Sequence, residues 1–247
     1  MLAFVLFNFY ISQFSAIALP LSAVFDEQTN RKKFENYMEK IYEECKLDDK
    51  LDYRIFRLAM IGYMNMRTNH LLSDENIIGV IDYTMSANDK RFFVIDLGSK
   101  ELLYHTLVAH GKNTGNKFAE YFSNEPRTQK SSLGFYITGE TYYGKHGYSL
   151  KLDGVDSSYN DNARIRQIII HGANYVSDDW AKKYGRIGRS WGCPALPEGE
   201  AKEIIDIIKD GCCLFIYFDN EEYLTSSIYL NINGDVLQTV IGINIDG

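Results

Sequence analysis

The chain has no excess of basic residues. Its 26 lysines and arginines face 33 acidic residues, a net charge of −7 over 247 residues. That balance gives no electrostatic footprint for nucleic acid, so no nucleic-acid partner is expected. Cysteine is scarce as well. The four thiols, Cys45, Cys193, Cys212 and Cys213, do not make a disulfide framework in a chain this long. Cys212 and Cys213 sit at the start of an apolar strand and read as core thiols. Among the five histidines there is no HExxH or other closely paired spacing, so no metal and no cofactor is expected. Internal repeats and low-complexity tracts are missing too. The composition that remains, 45% hydrophobic and 14% aromatic, suffices for a packed core and argues against disorder.

Charge is also missing from the start of the chain, where no charged side chain precedes Asp26. An apolar run beginning Leu2-Ala3-Phe4-Val5 ends at Ala16-Ile17-Ala18, a small-x-small cleavage pattern. Asn8, Ser12 and Gln13 interrupt it and make it a poor membrane span. Residues 1–23 therefore read as a secretory signal, which implies an exported protein.

Residues 26–75 read as a helical appendage. Phe34, Tyr37, Met38, Ile41 and Tyr42 fall on one helical face, and Leu51, Ile55, Leu58, Ala59 and Tyr63 on another, with the polar connector 46–50 between them. Beyond Asn76 the period shortens. Runs at 77–84, 91–96 and 101–107 are β-branched and aromatic, with short turns between them, and predict an antiparallel meander. Further strands are expected at 133–138, 148–152 and 213–218, and a helix over 199–210 ending at Gly211. The long polar segment 111–131 is expected to border a cleft. In the tail 221–247, Asn233-Gly234 between two apolar runs predicts a C-terminal hairpin extension. The class is mainly β, α+β.

One stretch carries chemistry: Gly185-Arg186-Ile187-Gly188-Arg189-Ser190-Trp191-Gly192-Cys193-Pro194-Ala195. Its glycines permit tight turns and close approach of backbone N–H groups. Its arginines raise the local positive potential, which favours a thiolate at Cys193. Upstream, Gln167-Ile168-Ile169-Ile170-His171-Gly172 predicts a buried strand that delivers His171 at its end. A cysteine and a histidine so presented are the parts of an activated thiol nucleophile. His146, in the glycine-rich and aromatic stretch 139–147, is the second candidate for the same cleft.

His171-Gly172 followed by Ser190-Trp191-Gly192-Cys193 resembles the signature of the L,D-transpeptidases, the YkuD-type catalytic domain that cross-links bacterial peptidoglycan. The Pro194-Ala195 that follows resembles the murein L,D-transpeptidase branch. Similarity extends over roughly residues 77–218, including Val108 to Asn113 and Gly144 to Ser149. Two positions depart from the commoner pattern: Trp191 stands where a histidine is usual, and Pro194 where a polar residue is usual.

The resemblance implies a β-sandwich or barrel catalytic domain over residues 76–220. It implies Cys193 as nucleophile, His171 as base, the Gly172 carbonyl as the group that orients the imidazole, and the N–H groups of Gly192 and Cys193 as oxyanion donors. The implied partner is a peptidoglycan stem peptide in the bacterial periplasm or cell envelope, with a carbapenem as possible inhibitor acylating Cys193. Arg186 and Arg189 become candidates for binding substrate carboxylates, and Ser190 for fixing the loop, while His146 borders the substrate. Three outcomes stay open for the acyl-enzyme. An amine resolves it in a transpeptidase. Water resolves it in an L,D-carboxypeptidase or amide hydrolase. In the third, Trp191 and Pro194 mark an inactive module that only binds peptidoglycan.

Overall fold

The computed structural model describes residues 21–232 and Leu237. The signal segment expected over residues 1–23 falls almost wholly outside them, as does the turn expected at Asn233-Gly234. The described part opens with two helices, α1 (Leu21–Glu44) and α2 (Tyr53–Thr68). Phe34, Met38, Ile41 and Cys45 form the buried stripe of α1 at spacings of three and four. Asp52 starts α2 by accepting the Arg54 N–H at 2.7 Å, which satisfies one of the donors a helix start leaves free. A bidentate pair from Arg57 to Glu35 ties the two helices together. At Gly62 a side chain would collide with Phe135, whose ring lies 1.9 Å from the position a Cβ would take. The helices share one hydrophobic core with the strands, in which Phe56, Met60, Phe93, Phe135 and Phe215 are all buried.

Eight strands form one mixed sheet: β1 (Ile77–Asp82), β2 (Phe92–Asp96), β3 (Glu101–Thr106), β4 (Gly134–Gly144), β5 (Gly147–Gly154), β6 (Ile169–Ala173), β7 (Ala195–Pro197) and β8 (Cys213–Tyr217). Their order is β3-β2-β1-β8-β4-β5-β6-β7. The meander β1-β2-β3 is antiparallel. β8 returns parallel to β1 after the helix α4 (Glu198–Ile208), whose buried Ala201, Ile204, Ile205 and Ile208 face the sheet. The chain leaving β3 reaches across to the opposite edge. Ala109 bridges to Ala195 of β7, with the Ala109 N–H donating to the Ala195 carbonyl at 2.8 Å. That bridge joins the two edges and nearly closes a barrel, which disposes of exposed strand edges.

Three expectations about single elements change. His171 is not at a strand end: β6 starts at Ile169 and runs on through Gly172 and Ala173 because β7 pairs alongside it. Residues 139–147, expected to lie between the strands at 133–138 and 148–152, are the outer half of β4 and the tight turn to β5, with Gly147 at φ +74. The tail holds a short helix, α5 (Glu221–Ser226), and a 3-10 turn over Ile228–Leu230 in place of the first hairpin arm. Tyr223 and Ser227 there donate to the buried Asp156 carboxylate, which also accepts the Phe135 N–H. That carboxylate fixes the segment to β4.

Candidate active site

β6 lies between β5 and β7 and places His171 opposite Ser149 on one side and Ala195 on the other. Cys193 stands two residues before Ala195, at the mouth of the cysteine loop. The thiol thus sits just ahead of the strand that runs parallel to the one carrying His171. The His171 Nδ1 lies 2.9 Å from the Gly172 carbonyl. A carbonyl can only accept, so Nδ1 carries the proton and Nε2 presents its lone pair. Burial lowers the His171 pKa, the Gly172 carbonyl partly offsets this, and His146 lowers it further. The imidazole is therefore neutral at neutral pH, the form a general base needs. His146, at the β4–β5 turn, stacks on the His171 ring with centroids 4.4 Å apart.

Cys193 is partly exposed, and burial of its sulfur raises the thiol pKa. The Ile169 N–H and the Arg166 guanidinium pull in the other direction. At rest the thiol donates to the Gln167 carbonyl at 3.7 Å. The loop around it is held by its neighbours. Ser190 Oγ donates to the Cys193 carbonyl at 2.6 Å and accepts the Gly192 N–H at 3.0 Å. Gly192 adopts φ +123, and a Cβ there would sit 2.7 Å from the Lys130 carbonyl, so no other residue fits. From below, the Ser190 N–H donates to the His110 carbonyl and the Lys112 N–H to the Ser190 carbonyl. The polar segment 111–131 supplies this floor, with Ser131 Oγ between the Gly111 N–H and the Gly192 carbonyl.

Two sequence expectations are corrected. The Gly192 N–H is occupied by Ser190 Oγ and does not point at an incoming oxyanion. The Cys193 N–H is aimed at its own sulfur and has no other partner among the described residues, so it is the donor available to an adduct at that sulfur. Nor are Arg186 and Arg189 the cations beside the thiol. Arg186 donates to Asn116 and the Ile187 carbonyl, and Arg189 to the Lys112 and Gly115 carbonyls. The cation that acts on Cys193 is Arg166. Its guanidinium donates to the Ser123 carbonyl at 2.6 Å, to the Lys130 carbonyl at 2.5 Å and to Ser132 Oγ. Sequence reasoning passed over it, although an arginine directly ahead of the apolar run 168–170 marks a charge with a reason to be buried.

Tyr175 was missed as well. It accepts the Gly188 N–H at 2.7 Å, and its hydroxyl is pushed up to about 12 by burial and by Cys193. A third missed group lies beneath the loop. Arg91, fully buried, donates to the Val108 and Met85 carbonyls and, at 2.9 Å, to His110 Nδ1. No group of three or more His, Cys, Asp or Glu side chains able to hold a metal occurs among the described residues.

The model of the L,D-transpeptidase catalytic domain family matches residues 47–217. The chain belongs to that family. The matched region takes in α2 as well as the barrel. Among solved structures, an L,D-transpeptidase from Mycobacterium smegmatis is 14% identical, with 58% of this chain and 59% of that chain covered and a TM-score of 0.37. The LD transpeptidase LdtMt1 in complex with imipenem is 15% identical, with 58% and 59% covered and a TM-score of 0.35. The helical cell shape determining protein Pgp2 (K307A mutant) from Campylobacter jejuni is 13% identical, with 76% and 63% covered and a TM-score of 0.42. This family member thus spans about 59% of the length of the first two. No curated protein matches its sequence.

Proposed function

We propose that this family member is a peptidoglycan acyltransferase that uses Cys193 as nucleophile and His171 as base. The observation that carries the reading is the fixed tautomer of His171. Its Nδ1–H is held by the Gly172 carbonyl at 2.9 Å, so Nε2 is free to take a proton, on a strand paired with the one that Cys193 leads into. In the reaction the Cys193 thiol gives its proton to His171 Nε2, and the thiolate attacks the amide carbonyl that precedes the terminal D-residue of a stem peptide. The oxyanion forms near the Cys193 N–H; one such donor is typically worth about 3–4 kcal/mol. Collapse breaks the C–N bond, the departing amine takes the proton from His171, and a thioester remains. An amine from a second stem attacks the thioester, loses its proton to His171, and releases the thiol.

Burial raises the thiol pKa and lowers the imidazole pKa, so both groups rest uncharged and the proton moves only as the carbonyl arrives. A stem-peptide substrate places the working protein in the bacterial cell envelope, in keeping with the apolar, uncharged first residues.

The test is mass spectrometry of purified stem peptides incubated with the protein. Cross-linked dimers are expected. Shortened monomers would replace the amine acceptor by water, and unchanged peptides would refute the enzyme reading. Cys193→Ala must abolish both products, and a carbapenem adduct on intact protein must be lost in the same variant.

A further inference from the structure

The segment that floors the cysteine loop also lines an open cavity of about 350 Å³ that the chemistry above does not use. Four of its lining side chains are aromatic: Tyr121, Phe122, Tyr159 and Phe218. Glu120 and Glu222 stand at the same cavity, and neither carboxylate has an ion-pair partner among the described residues. Asn220 commits its Oδ1 to the start of α5, where it accepts the Tyr223 N–H at 2.8 Å. Its NH2 group has no partner among the described residues.

The walls are set before any ligand arrives. α5 is fixed to the buried Asp156 through Tyr223 and Ser227, and the Tyr159 hydroxyl lies 3.0 Å from Ser226 Oγ at the end of that helix. Phe122 and Phe218 pack on each other with centroids 4.7 Å apart. Tyr121 is 59% exposed, an aromatic face that the core does not claim. The Lys130 ammonium stands 5.6 Å from its centroid. The cavity also adjoins the loop of the nucleophile. The Lys130 carbonyl lies 2.7 Å from the position a Cβ of Gly192 would take, and together with the Ser123 carbonyl it holds Arg166.

We propose that this cavity binds a neutral pyranose ring, an N-acetylated amino sugar of a glycan strand. A pyranose has apolar C–H faces and a rim of hydroxyls. Aromatic walls suit the faces, because C–H groups laid on a ring leave water while the ring keeps its own packing. The unpaired Glu120 and Glu222 carboxylates suit the hydroxyls, since charged acceptors make the stronger hydrogen bonds. The free NH2 group of Asn220 can donate to an acetamido carbonyl. Two carboxylates against the one ammonium of Lys130 disfavour an anionic ligand. The volume, at the small end for ligand sites, takes one ring with its substituents. The inference rests on the acyltransferase reading and adds that a stem still attached to its sugar is a better substrate than a free stem peptide.

The test is a ligand-observed NMR titration of the full chain with chitotetraose, a β-1,4-linked oligomer of N-acetylglucosamine. Tyr121→Ala removes a ring face and Glu222→Gln a charged acceptor, and each is expected to raise Kd roughly tenfold. Tyr184→Ala removes a comparably exposed ring from helix α3 (Asp178–Tyr184), outside the cavity, and should leave Kd unchanged. Melting temperatures confirm that each variant is folded. Chitotetraose that does not bind, or that binds both folded cavity variants as tightly as wild type, overturns the proposal. In parallel, a stem tetrapeptide on its disaccharide is compared with the free tetrapeptide. The sugar-linked form is expected to have the higher kcat/KM, and Tyr121→Ala to remove that advantage. Equal kcat/KM for the two in wild type also overturns it. If neither peptide reacts while chitotetraose binding still depends on Tyr121 and Glu222, the acyltransferase reading fails and the sugar site stands.

Discussion

Acid should loosen the floor of the cysteine loop through one buried histidine. His110 is fully buried, and its Nδ1 accepts from Arg91 at 2.9 Å. An arginine can only donate, so Nδ1 is bare and Nε2 carries the proton, facing the Gly115 carbonyl at 3.4 Å. Protonating Nδ1 would set an N–H against a guanidinium N–H in a dry site. Burial first, and Arg91 second, lower the pKa from 6.5 to about 3, with Arg189 adding to them and the Gly115 and Asn116 carbonyls opposing. The sign follows from proton counting. Between about pH 3 and 6.5 the unfolded chain holds a proton at this histidine and the folded chain does not, so stability falls as pH falls. At 1.36 kcal/mol per pH unit, going from pH 6.5 to pH 4 removes roughly 3 kcal/mol. His110→Asn keeps an acceptor near the Nδ1 position but cannot titrate. Urea unfolding of both proteins at pH 7 and pH 4 is the measurement, and wild type should lose roughly 3 kcal/mol more than the variant. Other titrating groups, including the raised Asp82 and Asp156 carboxyls, are common to both and cancel. Equal losses would refute the reasoning, and so would a larger loss in His110→Asn.

His171→Ala should lower turnover of stem peptides by about 10²–10⁴, the ordinary worth of general-base assistance. His146→Ala, which removes a ring stacked on that base, should act mainly on KM; a fall in kcat as large as that of His171→Ala would make His146 the base. Arg166→Gln withdraws the cation from Cys193 and leaves the Ser123 and Lys130 carbonyls without their donor. A stability loss of about 2–5 kcal/mol is expected, and the pH profile of Cys193 alkylation should move to higher pH, whereas Arg166→Lys should restore the profile in part. An unmoved profile would reduce Arg166 to a structural clamp.

The fold was legible wherever a short-range pattern specified it. β-Branched runs at 77–82 and 92–96 have nothing to do but pair, and the stripe Ala201, Ile204, Ile205, Ile208 has nothing to do but cover a sheet. The pattern ran out where the partner is distant in sequence. β7 is three residues long and exists because β6 runs beside it and Ala109 closes on it from the far edge. The same limit applied to the site. Cys193, His171 and Ser190 stood out by residue type and setting, and the fold puts them on one loop and the strand beside the one it leads into. Which arginine faces the sulfur depends on backbone carbonyls at Ser123 and Lys130, supplied by a segment with no periodicity at all. Nearness in sequence pointed to Arg186 and Arg189; the fold selected Arg166.

Burial acts on both reacting groups in opposite directions, and that sets the character of the site. It raises the thiol and lowers the imidazole, so an ion pair between Cys193 and His171 is disfavoured at rest despite the cation nearby. Arg166 cannot reverse this, because its own burial lowers its pKa and its donors are committed to Ser123, Lys130 and Ser132. What it does is limit the rise. In the proposed mechanism the charged form of Cys193 then belongs to the reaction and not to the resting protein, since a neutral thiol resists oxidation and stray electrophiles where a standing thiolate would not. For a protein whose proposed place of work lies outside the cytoplasm, that restraint keeps its one partly exposed cysteine reduced until a carbonyl is in place.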